Sequence, residues 1–256
     1  MRKPNHLLKV NPEQFFEVKT KEIAYILGYL WGDGWLYHQG SSYGIFICTT
    51  DYFLNPILSA TGQWLESSRR RENRKKSYTY QFSSIALYEY LISMDYKSKD
   101  KSPDKVLKTI PDHLKHYWFR GLSDADGCFY IGKNKSIRQF SMAGTYTQDW
   151  KYMEDLLKEL DIYYKVVRTT STRSHTSSIV RITNKLGVAK FGDYIYQEYD
   201  GLGLPRKYDK YIEIISGMPS RTHYEVNKKK GKILQKYPDL IRSNSSEEII
   251  YDHRES

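Results

Sequence analysis

The sequence predicts an α+β protein built from two pseudo-symmetric halves, each ordered helix–strand–strand–helix–strand–strand–helix. Three observations predict it. A nine-residue frame occurs twice, as Ile26–Gly34 (ILGYLWGDG) and Phe119–Gly127 (FRGLSDADG), and both copies read apolar-x-Gly-apolar-x-x-small-Asp-Gly. Each copy runs straight into strand-like residues, Trp35-Leu36-Tyr37 and Cys128-Phe129-Tyr130. A similar succession of apolar runs follows each copy. A long unit present only twice indicates duplicated domains and not a solenoid.

The first helix has a plausible N-cap in Thr20, ahead of Lys21-Glu22-Ile23. After its motif come apolar runs at Tyr43–Thr49, Leu54–Leu65, Tyr78–Phe82 and Ile85–Met94. The alternation Tyr78-Thr79-Tyr80-Gln81-Phe82 reads as a half-buried strand. Pro111 suits the first turn of the second motif helix, with Asp112 beside it where the helix dipole favours an acid. The runs Ile137–Met142, Trp150–Leu160, Tyr163–Thr170, Ile179–Ile182 and Leu186–Tyr196 follow, with Met153, Leu156, Leu157 and Leu160 at helical spacing. Gly34 and Gly127 stand where a left-handed glycine would stop each motif helix. The division expected is 1–105 for the N-terminal half, 106–216 for the C-terminal half and 217–256 for a basic tail, which carries Arg221, Lys228, Lys229, Lys230, Lys232 and Lys236.

The chain has 256 residues, of which 39% are hydrophobic and 27% charged, so it is polar but not of disordered composition. Its net charge of +10 implies a polyanionic partner, most often nucleic acid. Two cysteines, Cys48 and Cys128, make neither a disulfide framework nor a zinc site by themselves, which points to a reducing, intracellular setting. The first sixteen residues lack the apolar core of a signal peptide, so secretion is not expected. No apolar stretch of about 18 residues exists to span a membrane. The seven histidines show no metal-ligand spacing, Ser, His and Asp form no nucleophile frame, and there is no phosphate-cradling glycine loop.

The ends of the motif helices carry the chemistry. Gly28 and Gly32, and Gly121 and Ala125, lie one turn apart, forming a flat stripe along which two helix backbones can approach closely. Asp33 and Asp126 occupy the last turns, where the helix dipole disfavours a carboxylate by roughly 0.3–1 kcal/mol. One Asp-Gly is commonly just a turn opening a strand. The same misplaced acid in both copies indicates a cation that offsets it. Helices packed through their small faces would bring the two acids together, and adjacent carboxylates require a divalent ion or a shared proton. Such an oxygen site suits Mg²⁺, which uses one or two carboxylates, water and substrate phosphates.

These paired frames resemble the dodecapeptide motifs of the LAGLIDADG homing endonucleases, in the two-motif, single-chain form. FRGLSDADG departs from the family name mainly at its first positions and at Ser123, and ILGYLWGDG at Tyr29, Trp31 and Gly32. The resemblance runs from about residue 20 to 216. It implies a monomer with the motif helices at the interface and antiparallel sheets forming a DNA-binding saddle along the major groove. It also implies a Mg²⁺-dependent endonuclease, with Mn²⁺ able to substitute, that cuts both strands of a long non-palindromic target and leaves 3′ overhangs in intron homing. Asp33 and Asp126 would be the metal ligands, joined by the carbonyls of Gly32 and Ala125. Lys101 and Lys207, in the positions of the family's basic residues, would polarise water or phosphate; Lys97, Lys99 and Lys105 compete with Lys101 for that place. A non-cleaving nucleic-acid binder on the same fold, such as an intron-splicing RNA maturase, is the alternative, and it would need neither acid.

Arg69–Lys76, RRRENRKK, carries six basic residues and one acid ahead of the strand Tyr78–Phe82, as a hairpin lying on DNA phosphates would. Within it Arg69, Arg71, Arg74 and Lys75 are candidate contacts. If Tyr78, Tyr80 and Phe82 are core, Thr79 and Gln81 face the groove; Gln139 and Ser141 stand likewise against Phe140 and Met142. In the second half Lys133, Lys135, Arg138, Arg168, Arg173 and Arg181 complete the candidate set. A charge run is also what an ordinary solvated face looks like.

Overall fold

The computed structural model describes residues 11–50, 58, 64–69, 76–96, 100, 102–133, 137–170 and 176–216. Among them a 3₁₀ turn, Pro12–Phe15, precedes seven α-helices and eight strands. In chain order these are α1 (Lys21–Asp33), β1 (Gly34–Gln39), β2 (Ser42–Thr49), β3 (Leu65–Arg69), β4 (Ser77–Phe82), α2 (Ile85–Ser93) and α3 (Asp104–Thr109). Then come α4 (Asp112–Asp126), β5 (Gly127–Ile131), β6 (Arg138–Thr145), α5 (Lys151–Glu159), β7 (Lys165–Thr170), β8 (Thr176–Ile182), α6 (Lys185–Ile195) and α7 (Pro205–Ser216). The protein is α+β, with two four-stranded antiparallel sheets of matching order, β1-β2-β4-β3 and β5-β6-β8-β7. No described helix is long and apolar enough to cross a membrane.

The second half follows the expected order from α4 to α6. In the first half the expected helix within 54–65 falls mostly outside the described residues, and Leu65 already belongs to β3. Two helices were not anticipated: α3, six residues long and ahead of the second motif, and α7, twelve residues long, which carries Lys207. The proposed tail, 217–256, lies outside the described residues.

The centre of the molecule is the pair α1 and α4. A Cβ on Gly28 would stand 1.9 Å from the Trp118 carbonyl oxygen, and one on Gly121 would stand 2.0 Å from that of Tyr25. The two backbones therefore touch, and only glycine fits at either crossing. Ile23, Ile26, Leu27 and Leu30 of α1 and Trp118, Phe119 and Leu122 of α4 are buried around them. Each sheet adds one face to this core: Ile45, Ile47, Tyr80 and Phe82 from the first, Phe140, Met142, Val180 and Ile182 from the second.

Local signals set the helix ends. Thr20 caps α1 by accepting the Ile23 N–H at 3.4 Å. Ser84 caps α2 and Asn184 caps α6 in the same way. Pro111 stands one residue earlier than expected, at the N-cap of α4, and Asp112 opens the first turn. The motif glycines differ from expectation. Gly34 (φ −86°, ψ 160°) and Gly127 (φ −77°, ψ 153°) are extended, not left-handed. Each helix passes directly into a strand, so no reversal is needed. Glycine is required there for space: a Cβ on Gly34 would lie 2.5 Å from the Leu30 carbonyl oxygen and from the Tyr96 hydroxyl, and one on Gly127 would lie 2.6 Å from the Ser123 oxygen.

His116 is buried on α4, packed against Tyr117 with ring centroids 3.9 Å apart and planes 38° from parallel. Burial, and then the Arg120 charge, push its pKa down to about 4. The unfolded chain therefore takes up a proton first. The stability due to neutral His116 is present above pH 6.5 and is lost as pH falls toward 4. Its steepest slope is about 1.4 kcal/mol per pH unit. Thermal melts between pH 7 and 4.5 should show this acid limb flattened in His116→Leu; an equally steep limb in the variant would assign it to other groups.

Candidate active site and nucleic-acid interface

Because α1 and α4 pack through their small faces, their C-terminal turns end side by side. A Cβ on Gly32 would meet the Ala125 Cβ at 2.4 Å and Oδ2 of Asp126 at 3.0 Å, so the Asp126 carboxylate lies against the last turn of α1. Asp33 is half-buried and Asp126 exposed. Both carboxylates act on the same neighbours: burial raises the pKa of Tyr96, and Asp33 and Asp126 raise it further. A cavity of about 290 Å³ opens beside Asp33, lined in part by Tyr29, Thr49, Ser77, Asp124, Ala125 and Arg206.

The backbone that holds these acids is itself held. The Ser123 carbonyl accepts the Gly127 N–H and, at 2.8 Å, the ammonium of Lys207, which also donates to the Asp124 carbonyl at 2.5 Å. In the first motif the Leu30 carbonyl accepts the Gly34 N–H and the Tyr96 hydroxyl at 2.5 Å. Lys207 and Tyr96 thus occupy corresponding posts, one per half, each binding the carbonyl three residues before the motif acid.

Lys207 is buried rather than extended toward solvent. Burial pushes its pKa down to about 8, opposed by the Asp124 charge. Asp124 is fully enclosed, and burial pushes its carboxyl up to about 6 against the pull of Lys207. It accepts from the Leu204 N–H at 2.7 Å and the Tyr25 hydroxyl at 2.8 Å. Beside it Arg120, also enclosed, donates to the carbonyls of Ile195, Leu202 and Gln197. This network ties α4 to α6 and α7. Removing one partner would strand a buried charge, a loss of about 3–5 kcal/mol. Lys207 thus holds the last turn of α4, and it lies near enough to the motif acids that Asp33 and Asp126 both raise its pKa. Lys101 lies outside the described residues.

Two carboxylates with adjacent carbonyls and an open cavity form an all-oxygen donor set that fits a hard divalent cation completed by water and substrate oxygens. Among the described residues no group of three or more His, Cys, Asp or Glu side chains forms a separate metal centre.

The sheets carry the other candidates. Thr79 and Gln81 are half-buried, on the face of β4 opposite Tyr80 and Phe82. Gln139, Ser141 and Arg181 occupy the equivalent face of the second sheet, where Ser141 pairs with Arg181. Arg138 does not: it is 7% exposed and shares the parity of Phe140 and Met142, which places it on the core side. Arg168 is exposed but donates to the carbonyls of Tyr146 and Gln148, both at 3.2 Å. Lys133 is exposed in the turn after β5. Arg69 ends β3 opposite Ser77, so the run that follows connects two paired strands, as a hairpin connection does. Arg71, Arg74, Lys75, Lys135 and Arg173 lie outside the described residues. Sequence reading missed Tyr96, Asp124 and Arg206. Only the Asp in FRGLSDADG stood in view, as part of the frame.

No protein-family model and no curated protein matches the chain. Among solved structures it is similar to homing endonucleases. One is I-SmaMI bound to an uncleaved DNA target in the presence of calcium ions, with TM-score 0.49 and 14% identity over 81% of this chain and 90% of that one. The same LAGLIDADG enzyme bound to cleaved DNA gives TM-score 0.47 and 13% identity over 78% and 89%. Another is I-DmoI in complex with DNA and calcium, with TM-score 0.48 and 18% identity over 70% and 91%.

Proposed function

We propose that this chain is a site-specific double-strand DNA endonuclease of the LAGLIDADG homing type, acting as a monomer on a long, non-palindromic duplex. The observation that carries this reading is the junction of α1 and α4. Two motif helices, in contact through Gly28 and Gly121, each end in an acid at the meeting point of two antiparallel sheets. A structural turn would need neither acid, and a passive binder would not gather two carboxylates where positive charge meets phosphate.

Asp33 and Asp126, with the carbonyls of Gly32 and Ala125, would hold the divalent ion, Mg²⁺ with Mn²⁺ able to substitute. When bound, the ion supplies charge neutralisation at the scissile phosphate and an activated water for in-line attack, with loss of the 3′ oxygen. The protein's own residues do the rest. Gly32 lets the Asp126 carboxylate approach the first motif. Lys207 and Tyr96 fix the carbonyls behind the two acids. The basic connection between β3 and β4, with Lys133 from the other half, binds phosphates and orients the duplex. Two pseudo-equivalent active sites, one per motif, cut one strand each and leave 3′ overhangs.

Incubation with a randomised plasmid library and sequencing of the ends tests this. Mg²⁺ or Mn²⁺ should yield linear product cut at one asymmetric sequence, and chelator should abolish it. Duplex left intact with every metal, together with selective RNA binding, would assign the chain to the maturase class instead.

The basic connection gives a quantitative expectation. Changing Arg69, Arg71, Arg74 and Lys75 together to Ala should lower the slope of log K against log salt by roughly 3–4, since each neutralised phosphate contributes about 0.9. If some of the four read bases, the slope changes less and preference relaxes by about 1–3 kcal/mol per lost bidentate pair. Titrations at several salt concentrations on matched and scrambled duplexes separate these results. An unchanged slope and preference would make the run a solvated face.

A further inference from the structure

The open faces of the two sheets are chemically unlike at corresponding positions. In the first sheet the row one step beyond the motif glycine is Trp35, Phe46, Gln81 and Leu65, paired strand to strand. In the second sheet the corresponding row is Cys128, Ser141, Arg181 and Lys165. One row is aromatic and apolar around a single amide. The other is small, polar and cationic.

The first row is built as a platform. The rings of Trp35 and Phe46 stack with centroids 5.0 Å apart and planes 7° from parallel. Tyr37 sets its ring edge-on to Phe46 at 6.3 Å. The Phe46 ring lies down over Gly44, where a Cβ would meet it at 2.5 Å. Strand alternation turns these rings away from the core formed by Ile45, Ile47, Tyr80 and Phe82. Trp35 is 40% exposed, Tyr37 43% and Leu65 39%. Grouped apolar surface of this kind marks an interaction site, whereas single exposed apolar residues do not.

We infer that the Trp35–Tyr37–Phe46 platform reads thymine 5-methyl groups in the major groove, with Gln81 accepting and donating to the adenine of the same base pairs. The inference rests on the endonuclease reading and adds what that reading leaves open, the base preference of one half-site. The occupant follows from three facts. The protein's charge of +10 and the basic connection at the end of β3 favour a duplex on this face. In the major groove only thymine offers a methyl group, and a bidentate amide matches adenine N6 and N7. Trp35 lies two residues beyond Asp33, so the pairs read are those beside the scission centre. The cationic row of the second sheet, with Arg181 suited to guanine O6 and N7, gives the other half-site a different preference.

The test begins with the preferred target of the wild-type protein, selected from randomised duplexes and measured by binding without cleavage in Ca²⁺. Thymines near the centre of each half-site are then replaced in turn by deoxyuridine, which removes only the methyl group. In one half-site each replacement should weaken binding by about threefold to fivefold, the effect of re-exposing one methyl, while the other half-site is indifferent. The sensitivity should vanish in Trp35→Thr and Phe46→Thr and persist in Arg181→Ala. Should the Thr variants fail to fold, the comparison of the two half-sites in the wild type still decides. Selective binding and cleavage without deoxyuridine sensitivity would overturn the inference and leave the endonuclease reading standing. Dimerisation through this face with no such sensitivity would overturn it in favour of a second copy as the occupant. If no duplex is selected at all, both readings fall.

Discussion

Asp33→Asn and Asp126→Asn are each expected to abolish double-strand cleavage while leaving duplex binding in place. Asn keeps the size of the side chain and one oxygen but removes the charge. It should therefore fold as the wild type does, since Asp126 is exposed and Asp33 only half-buried. Ion-held charge at a transferring phosphate is worth several kcal/mol. At about 1.36 kcal/mol per tenfold, that is roughly a thousandfold in rate. Plasmid linearisation and nicking, followed together with binding titrations, measure both arms. If each motif serves one strand, a single variant should leave residual nicking confined to one strand. Linearisation at the full rate by either variant would falsify the metal assignment.

Gly28→Ala and Gly121→Ala are expected to be the most destabilising single-methyl changes in the molecule. The added carbon would lie about 2 Å from a backbone oxygen of the facing helix, where no rotamer change relieves it. Overpacking typically costs about 1–3 kcal/mol, occasionally more, and a rigid neighbour puts these at the upper end or beyond. A loss of about 3 kcal/mol lowers Tm by roughly 6–12 °C in a chain of this size. Gly32→Ala provides the contrast, because its obstacle is the Ala125 Cβ, 2.4 Å away, together with the Asp126 carboxylate. Adding Ala125→Gly should restore part of its stability, whereas no side-chain deletion should rescue Gly28→Ala. Melting temperatures near wild type for both crossing-point variants would mean that the helices do not touch there.

What the sequence made legible follows from what is periodic. The doubled nine-residue frame located α1 and α4, and the small residues four apart, Gly28 and Gly32 with Gly121 and Ala125, named the faces that meet. Alternation in Tyr78–Phe82 and Phe140–Met142 told core from open face, and Thr79, Gln81, Gln139 and Ser141 stand where it placed them. The same alternation, continued two residues back from Phe140, puts Arg138 on the core side. Grouping it with nearby cations by charge overlooked that parity. Gly34 and Gly127 were misread because a glycine after a helix has two uses, reversal of the chain and close approach, and the sequence does not distinguish them. Here the carbonyls of Leu30 and Ser123 decide for close approach.

The buried polar network was not legible for a different reason. Tyr25, Asp124 and the segment Leu204–Lys207 lie far apart in the chain, and nothing local marks any of them as buried. Tyr96 is the plainest case. It looked like one more of 24 tyrosines, yet it binds in the first half the carbonyl that corresponds to the one Lys207 binds in the second. The halves are thus alike in path and unlike in chemistry, both behind the acids and on the open faces of the sheets.

Asp33 and Asp126 are proposed to hold a divalent ion together against a bound duplex. Electron paramagnetic resonance of Mn²⁺ titrated into the protein–duplex complex tests this, because free and bound ion are counted independently of cleavage. The wild-type complex should bind Mn²⁺ in excess of the duplex alone, and the Asp33→Asn, Asp126→Asn double variant should lose that excess while still binding the duplex. Equal Mn²⁺ binding by the two complexes would contradict the claim.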